Sequence, residues 1–248
     1  MTGTLLITGA SRGIGAATAR LAGQRGYAVC VNYRSRRDAA DAVVADLIAA
    51  GGRAIAVQAD VSDEGDVRRL FETCDRDLGP LTGLVNNAGI LETQRRVDQM
   101  DAARIARVLA TNVTGAFLCA GEAVRRLSSR HGGRGGAIVN VSSGASRLGS
   151  PGEYVDYAAS KGALDTLTIG LSREVAAEGI RVNAVRAGFI DTEIHASGGE
   201  PNRLERVKHL VPLQRGGTPA EVAAAILWLL SDEASYTTGA FIDVAGGK

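Results

Sequence analysis

Long apolar runs and cysteine are scarce in this chain of 248 residues. No stretch approaches the roughly 20 apolar residues that a membrane-spanning helix needs, so we expect no membrane span. The run Leu5-Leu6-Ile7 passes straight into a glycine turn, whereas a secretion signal has a longer apolar segment behind a basic one. The 3 cysteines are odd in number, far apart and set among apolar neighbours, as free buried thiols in a reducing compartment are. We therefore expect a cytoplasmic protein.

An excess of charge of one sign is also lacking, since 28 basic residues face 27 acidic ones. Such a balance provides no field to hold nucleic acid or an anionic membrane surface. His131, His195 and His209 share no ligand spacing with one another or with the cysteines, so we expect no metal site. The expected partners are a small-molecule substrate and further copies of the chain.

What the chain does have is a regular alternation of short apolar runs and longer helical patterns. The predicted strands are residues 5–8, 28–32, 54–57, 84–86, 137–141, 182–185 and 241–244, and the predicted helices are residues 16–25, 37–50, 64–78, 102–130, 157–178 and 220–230. Such alternation implies βαβ units and strands that are buried on both faces. We predict an α/β, doubly wound Rossmann fold with a central parallel sheet of about seven strands and helices on both faces. A single domain over residues 1–248 is expected.

The first predicted strand leads through a glycine-rich turn directly into a helix. The turn reads Thr8-Gly9-Ala10-Ser11-Arg12-Gly13-Ile14-Gly15. Glycines at this position bring backbone N–H groups and a helix N-terminus close to a pyrophosphate. Because the spacing differs from the G-x-G-x-x-G fingerprint, a plain strand-to-helix turn is the alternative.

The end of the second predicted strand is basic. It reads Asn32-Tyr33-Arg34-Ser35-Arg36-Arg37, where many NAD-binding folds carry an acidic residue for the ribose hydroxyls. Guanidinium groups at this point suit the 2′-phosphate of NADP(H), and Arg12 adds to them. We therefore predict NADP(H) as the cofactor, with NAD(H) less favoured and a solvated basic loop as the alternative.

Tyr157 and Lys161 are four residues apart in a helical segment, so their side chains share one face. With 5 tyrosines, and with Lys161, Lys208 and Lys248 the only lysines, chance predicts roughly 0.06 such pairs. A phenol ionises near pKa 10 in water, and a neighbouring ammonium favours its ionised form, which suits general acid–base chemistry.

The glycine turn, Asn86-Asn87-Ala88-Gly89 and Tyr157-Ala158-Ala159-Ser160-Lys161 together resemble the short-chain dehydrogenase/reductase family over essentially the whole chain. The resemblance extends to Asp60-Val61, Asn112, Ser142-Ser143 and Arg181-Val182-Asn183-Ala184-Val185. It implies that Tyr157 exchanges a proton with the substrate oxygen, Ser143 binds that oxygen, Lys161 also binds the nicotinamide ribose, and Asn112 helps to anchor a water. The cofactor residues that the motifs imply are Gly9, Ser11, Arg12, Gly13, Ile14, Gly15, Asn32, Arg34, Asp60, Val61, Asn87, Ala88, Gly89, Tyr157, Lys161, Ile190 and Thr192.

The sequence departs from the family pattern in two places. Ser143 stands 14 residues before Tyr157, one more than is usual, and Ser142 competes for its role. The usual Pro-Gly is replaced by Ala187-Gly188, so we expect a looser loop there, because alanine lacks the fixed φ of proline. The substrate is expected to bind between residues 144–156 and 189–214, where Tyr154 lacks a partner lysine and is expected to shape the pocket.

Three functions are consistent with the sequence. The first is an NADP(H)-dependent carbonyl reductase or alcohol dehydrogenase. The second is a 3-oxoacyl-carrier-protein reductase. Such enzymes often have a basic residue near the end of the helix that carries the tyrosine and the lysine, and this chain has Glu178 there, which counts against this function. The third is a non-catalytic, NADP-sensing module, which the retained Tyr157 and Lys161 disfavour. The resemblance also implies a homotetramer formed through segments 102–130 and 157–178, with a further contact at the C-terminal segment.

Overall fold

The computed structural model describes residues 3–248. Its seven strands form one sheet and are β1 Thr4–Ile7, β2 Ala28–Tyr33, β3 Ala54–Gln58, β4 Leu81–Asn86, β5 Gly136–Ser143, β6 Ile180–Ala187 and β7 Phe241–Val244. The strand order is β3-β2-β1-β4-β5-β6-β7, and every neighbouring pair is parallel. The predicted doubly wound α/β fold is confirmed, including all seven strands.

The helices are α1 Gly13–Gln24, α2 Arg37–Ala49, α3 Glu64–Leu78, α4 Ala102–Leu109, α5 Gly115–Leu127, α6 Ala145–Leu148, α7 Val155–Val175, α8 Ile194–Ser197, α9 Arg203–Val207 and α10 Pro219–Leu230. Side-chain caps begin several of them. Asp63 accepts a hydrogen bond from the Asp66 backbone at the start of α3, and Thr218 and Glu221 form a capping box at α10.

The sheet is covered on both faces because side chains alternate along each strand. In β1, Leu5 and Ile7 pack into one core with α1, α2 and α10. Leu6 points to the opposite face and packs with α3, α5 and α7. The reversal of strand order between β1 and β4 opens a crevice at their carboxyl ends, where ligands bind in folds of this class.

Two element boundaries differ from the sequence-based prediction. The single helix predicted over residues 102–130 is divided by a π-helical turn at Ala110–Thr114 and ends as a helix at Leu127. Strands β5 and β6 also extend further than expected, because Ser142, Ser143 and Ala187 continue the parallel hydrogen bonding between them. The serines therefore lie on the rigid end of a strand and not in a loop.

Among residues 3–248, no helix has both the length and the apolar character that spanning a membrane requires. The cysteines Cys30, Cys74 and Cys119 are buried free thiols, as the sequence predicted.

Candidate active site

A cleft of about 530 Å³ lies at the carboxyl ends of the strands, at the point where the strand order reverses. The predicted site residues that line it are Gly9, Ser11, Arg12, Gly13, Ile14, Asn32, Arg34, Val61, Asn87, Ala88, Gly89, Ser143, Tyr157, Lys161, Ile190 and Thr192. The structure thus brings together residues from both halves of the chain. Gly15, Asp60 and Asn112 lie outside the wall of the cleft.

The glycine turn follows β1 and provides the shape that a bound pyrophosphate requires. Gly9 and Gly13 have φ values of 61° and 55°, a conformation that other residues rarely adopt. A Cβ on Gly15 would stand 2.6 Å from the Gly9 carbonyl oxygen, so the turn and α1 pack too closely for a side chain. Helix α1 then begins at Gly13 with neither a side-chain cap nor an acidic residue in its first turn, within the described chain. Its N-terminal N–H groups are therefore suited to an anion.

Two asparagines hold this turn in place through their side chains. Asn32 accepts a hydrogen bond from the Gly9 backbone at 3.1 Å and donates to the Ala59 carbonyl at 3.0 Å. Asn87 donates to the carbonyls of Thr8 and Gly9 at 2.8 and 3.0 Å. Both residues line the cleft, but their amide groups bond to the protein itself, so they support the shape of the glycine turn.

The end of β2 supplies cationic groups to one end of the cleft. Arg34 and Arg36 both line it, together with Ser35. The sequence placed no carboxylate at this strand end, yet the fold brings Asp60 from the end of β3 to 3.8 Å from the Arg34 guanidinium. Asp60 also accepts hydrogen bonds from the backbone and hydroxyl of Ser62. Its carboxylate therefore partly offsets the charge of Arg34, and Arg36, which pairs with the exposed Asp38 at 3.6 Å, is the second cation at this end.

Tyr157, Lys161 and Ser143 meet at the centre of the cleft, because α7 packs across the carboxyl ends of β5 and β6. The Lys161 Nζ donates a hydrogen bond to the Val141 carbonyl at 2.8 Å. Ser143 Oγ donates to the Ala187 carbonyl at 3.3 Å and accepts from the Ala145 backbone at 3.1 Å. Backbone groups at the ends of the strands thus hold the side chains of Lys161 and Ser143 in place.

Burial moves the pKa values of the tyrosine and the lysine in opposite directions. It raises the pKa of Tyr157 to about 12, and a hydrogen bond with Ser143 opposes this rise. Burial also lowers the pKa of Lys161 to about 8, and the nearby Asp165 carboxylate opposes this fall. From the sequence, the Lys161 ammonium is expected to lower the pKa of Tyr157. The net change is the reverse, because removing the phenolate from water has the larger effect.

Asn112 lies in the π-helical turn between α4 and α5 and is fully buried. Its Oδ1 accepts a hydrogen bond from the Ile90 backbone at 2.8 Å, and its Nδ2 donates to the Ile90 carbonyl and to Ser160 Oγ. A Cβ on Gly89 would be 3.5 Å from both Asn112 Oδ1 and Lys161 Nζ. Asn112 therefore lies behind the site and joins the segment after β4 to α7, and a water-anchoring role stays a prediction.

The outer part of the cleft contains an ion cluster that the sequence did not indicate. Arg203 is buried, with its side chain only 7% exposed, and it pairs with Glu153 and Glu200. Its guanidinium lies 4.8 Å from the centroid of the Tyr154 ring and 5.5 Å from that of Phe189. Glu200 and Arg203 are three residues apart, but Glu153 comes from a segment 50 residues earlier, so local spacing does not reveal the whole cluster.

His195 also lines the cleft, and its role differs from that of a metal ligand. Its Nε2 donates to the Ile190 carbonyl at 2.9 Å, and its buried Nδ1 has no hydrogen-bond partner among residues 3–248. Burial lowers the pKa of this imidazole. The part of the chain that the structure describes contains no group of three or more metal-ligating His, Cys, Asp or Glu residues.

At Ala187 the absence of proline does not free the backbone at the end of the strand, and a looser loop beyond it stays a prediction. Ala187 is the last residue of β6, it is buried, and its carbonyl accepts hydrogen bonds from Gly144 N and Ser143 Oγ. The next backbone N–H, of Gly188, donates to the Val244 carbonyl at 2.9 Å. Hydrogen bonds to both neighbouring strands thus fix the backbone where proline is usual.

Comparisons with known proteins agree with this geometry. Residues 9–248 match the family described as Enoyl-(Acyl carrier protein) reductase. The chain is 65% identical to the uncharacterized oxidoreductase YgfF of Escherichia coli, with 98% of each chain covered. It is 41% identical to a 3-oxoacyl-[acyl-carrier-protein] reductase of Synechocystis, covering 98% of this chain and 95% of the relative. A short-chain dehydrogenase of Burkholderia cenocepacia in complex with NADP superposes with a TM-score of 0.90 at 32% identity, covering 99% of this chain and 97% of the other.

Proposed function

This chain belongs to the short-chain dehydrogenase/reductase family and is an oxidoreductase, and on that premise we propose that it transfers hydride between NADP(H) and a carbonyl or alcohol group of a small molecule. One observation carries the proposal. Tyr157, Lys161 and Ser143 line the same cleft as the glycine turn that follows β1. Proton donor, oxygen ligand and cofactor site are thus within one cavity.

In the direction of carbonyl reduction, Ser143 binds the substrate oxygen and Tyr157 donates a proton to it. A tyrosine pKa of about 12 keeps the phenol protonated at neutral pH, as a proton donor requires. Lys161, with a pKa of about 8, is mostly cationic at pH 7 and stabilises the phenolate that proton transfer leaves. When bound, the nicotinamide supplies the hydride or accepts it in the reverse direction.

The residues of the cleft fit a phosphorylated dinucleotide. The positive φ values of Gly9 and Gly13 open a cradle at the N-terminus of α1 for the pyrophosphate. Arg34 and Arg36 stand where a 2′-phosphate would be held, which favours NADP(H) over NAD(H). Ile190 and Thr192, at the opposite end, would contact the carboxamide. The name of the Burkholderia cenocepacia complex, which contains NADP, supports this choice.

A second candidate function is 3-oxoacyl-carrier-protein reduction. The name of the Synechocystis relative favours it. The Glu178 carboxylate counts less against it than its position suggested, because it is buried and bound to Ser128 Oγ at 2.5 Å and to Arg130 at 3.1 Å. A largely neutralised carboxylate does not repel an acidic carrier strongly.

We also propose the homotetramer and the cytoplasmic location that the sequence suggested. Phe117 on α5 is 52% exposed, and Ile169 on α7 and Leu109 on α4 are also exposed large apolar side chains. A second copy of the chain would cover them. Light scattering at micromolar concentration tests the assembly, and a monomeric mass would refute it.

The decisive experiment is a panel of aldehydes, ketones, alcohols and 3-oxoacyl thioesters, assayed by nicotinamide absorbance with both cofactors. Turnover of small carbonyls with NADPH supports the first proposal. Turnover confined to 3-oxoacyl thioesters supports the second. Cofactor binding without turnover of any compound would favour the sensing module instead.

A further inference from the structure

Arg104 and Asp156 form a buried ion pair beside the candidate active site, and no local spacing in the sequence indicates it. Their side chains are only 5% and 3% exposed. Arg104 Nε donates to Asp156 Oδ2 at 2.7 Å, and Nη2 donates to Oδ1 at 3.3 Å. The pair joins α4 to the first turn of α7, across 52 residues of sequence. Such a two-point contact fixes orientation as well as distance.

The Asp156 carboxylate also fixes the backbone of Tyr157. Its Oδ1 accepts a hydrogen bond from the Tyr157 N–H at 2.9 Å. This N–H belongs to the first turn of α7, where helices lack internal acceptors, and the side chain of the N-cap residue Tyr154 does not cap the helix within the described chain. Asp156 therefore provides the acceptor for the backbone N–H of Tyr157. Its negative charge is also favourable at this position, because it lies at the N-terminus of a helix.

The same guanidinium holds a second edge of the cleft. Arg104 Nη1 donates to the Thr93 carbonyl, in the segment that follows β4. A Cβ on Gly199 would be 3.1 Å from Thr93 Cγ2, so this segment lies against the residues that follow α8. Arg104 thus connects the start of α7 to the segment that borders the substrate side.

A buried ion pair is a poor way to gain stability, because removing both charges from water costs about as much as their attraction returns. Apolar residues of similar size are often equally stable at such positions. The geometry points to a different role. We propose that Arg104 and Asp156 are positioning residues, which set the first turn of α7 and so hold the Tyr157 hydroxyl in register with Ser143. This inference rests on the proposed function, because it concerns the proposed proton donor.

The test compares Arg104→Met, Asp156→Asn and the apolar double variant Arg104→Met/Asp156→Leu with the unmodified enzyme. The double variant removes both charges, so its melting temperature should stay close to that of the unmodified protein. Its kcat should fall by about 10- to 100-fold, as for small misplacements of a reacting group, with the Kd for NADPH unchanged within twofold. The solvent deuterium isotope effect on kcat should rise, because proton transfer from Tyr157 becomes slower.

Asp156→Asn keeps an oxygen acceptor for the Tyr157 N–H and should lose less kcat than the double variant. The matched control is Arg126→Met/Asp75→Leu, which removes an ion pair between α5 and α3 at 2.5 Å, and its isotope effect should not change. A double variant with the unmodified kcat and isotope effect would overturn the inference.

Amide hydrogen exchange at Tyr157 separates this inference from the proposed function, since it requires no turnover. Exchange should become at least about tenfold faster in the double variant and change little in Asp156→Asn. Unchanged protection of that amide in the double variant would show that Arg104 and Asp156 do not hold the first turn of α7 in place, whether or not the enzyme reduces carbonyls.

Discussion

The Nζ atom of Lys161 lies 5.6 Å from the centroid of the Tyr157 ring, one helical turn away on α7. The two groups therefore share a buried environment that opposes the charged form of each. With pKa values of about 12 and about 8, the pair at neutral pH is a neutral phenol beside a mostly protonated ammonium. This is the protonation state from which a carbonyl oxygen can receive a proton.

Replacing Tyr157 by phenylalanine should separate chemistry from binding. Only a hydroxyl is lost, so NADPH binding should survive, while turnover should fall by roughly 10²- to 10⁴-fold, as expected for a lost general acid. The matched control is Tyr154→Phe, since Tyr154 also lines the cleft and its hydroxyl donates to the Gly198 carbonyl at 3.3 Å. Steady-state kinetics and cofactor fluorescence measure the two effects. Near-normal turnover of Tyr157→Phe would refute the assignment.

Lys161→Met should abolish most activity and yet stabilise the protein at pH 7. The folded pKa of about 8 lies below the ordinary lysine value of 10.5, so the unfolded chain binds more protons between these two pH values and stability rises with pH across this window. Below about pH 8 the buried ammonium lowers the free energy of unfolding by roughly 3 kcal/mol. The hydrogen bond that Lys161 donates to the Val141 carbonyl offsets part of this cost.

The melting temperature of Lys161→Met should therefore exceed that of the unmodified protein at pH 7, and the difference should shrink towards pH 10. Thermal unfolding at several pH values measures it. A constant difference across this range would show that Lys161 does not change its charge there. Lys161→Arg, which keeps the charge, should not show the stabilisation.

The fold was predictable because its signals are local. The apolar strands and the helical patterns each depend on a few neighbouring positions, and the pair of Tyr157 and Lys161 needs only one helical turn. The π-helical turn at Ala110–Thr114 was not predictable in this way. Its Asn112 bonds to Ile90, which is 22 residues away, and such tertiary contacts override helical periodicity.

The parts of the site that the sequence did not reveal depend on long-range pairing. Arg104 and Asp156 each look like an ordinary surface charge in the sequence, and only the fold buries them together. Asp60 likewise meets Arg34 only because β2 and β3 are neighbours. The rise in the pKa of Tyr157 could not be read from the sequence for the same reason, because the burial that causes it is a property of the folded chain.

Cofactor preference should depend on Arg34 and Arg36 but not on Arg37. Arg34→Asp removes a cation and adds repulsion to a 2′-phosphate, so the preference for NADPH over NADH should fall or reverse. Adding Arg36→Ala to Arg34→Asp should reduce the preference for NADPH further. Arg37→Ala is the matched control, since Arg37 pairs with Asp41 along α2 and is not part of the cleft wall. Ratios of kcat/KM for the two cofactors measure the effect, and equal use of both by the unmodified enzyme would contradict the prediction.

The ion cluster around Arg203 should set substrate affinity. Arg203 is buried against the Tyr154 and Phe189 rings and bound to two carboxylates, and in Arg203→Met these carboxylates keep only the more exposed Arg206 as a partner. The free energy of unfolding should fall by less than the roughly 3 kcal/mol of a fully broken buried pair, because Arg206 still pairs with both carboxylates.

KM should rise more than kcat falls in Arg203→Met, because the rings that border the substrate lose their support while Tyr157 stays in place. Arg206→Met is the control, since Arg206 contacts the same two carboxylates but its side chain is 49% exposed. Its cost should be below about 1 kcal/mol, as for surface ion pairs. Chemical denaturation gives the stabilities, and steady-state kinetics on one accepted carbonyl gives KM. Both substitutions remove one positive charge, but only Arg203 is buried. Equal effects of the two substitutions would therefore show that the burial of Arg203 has no special role.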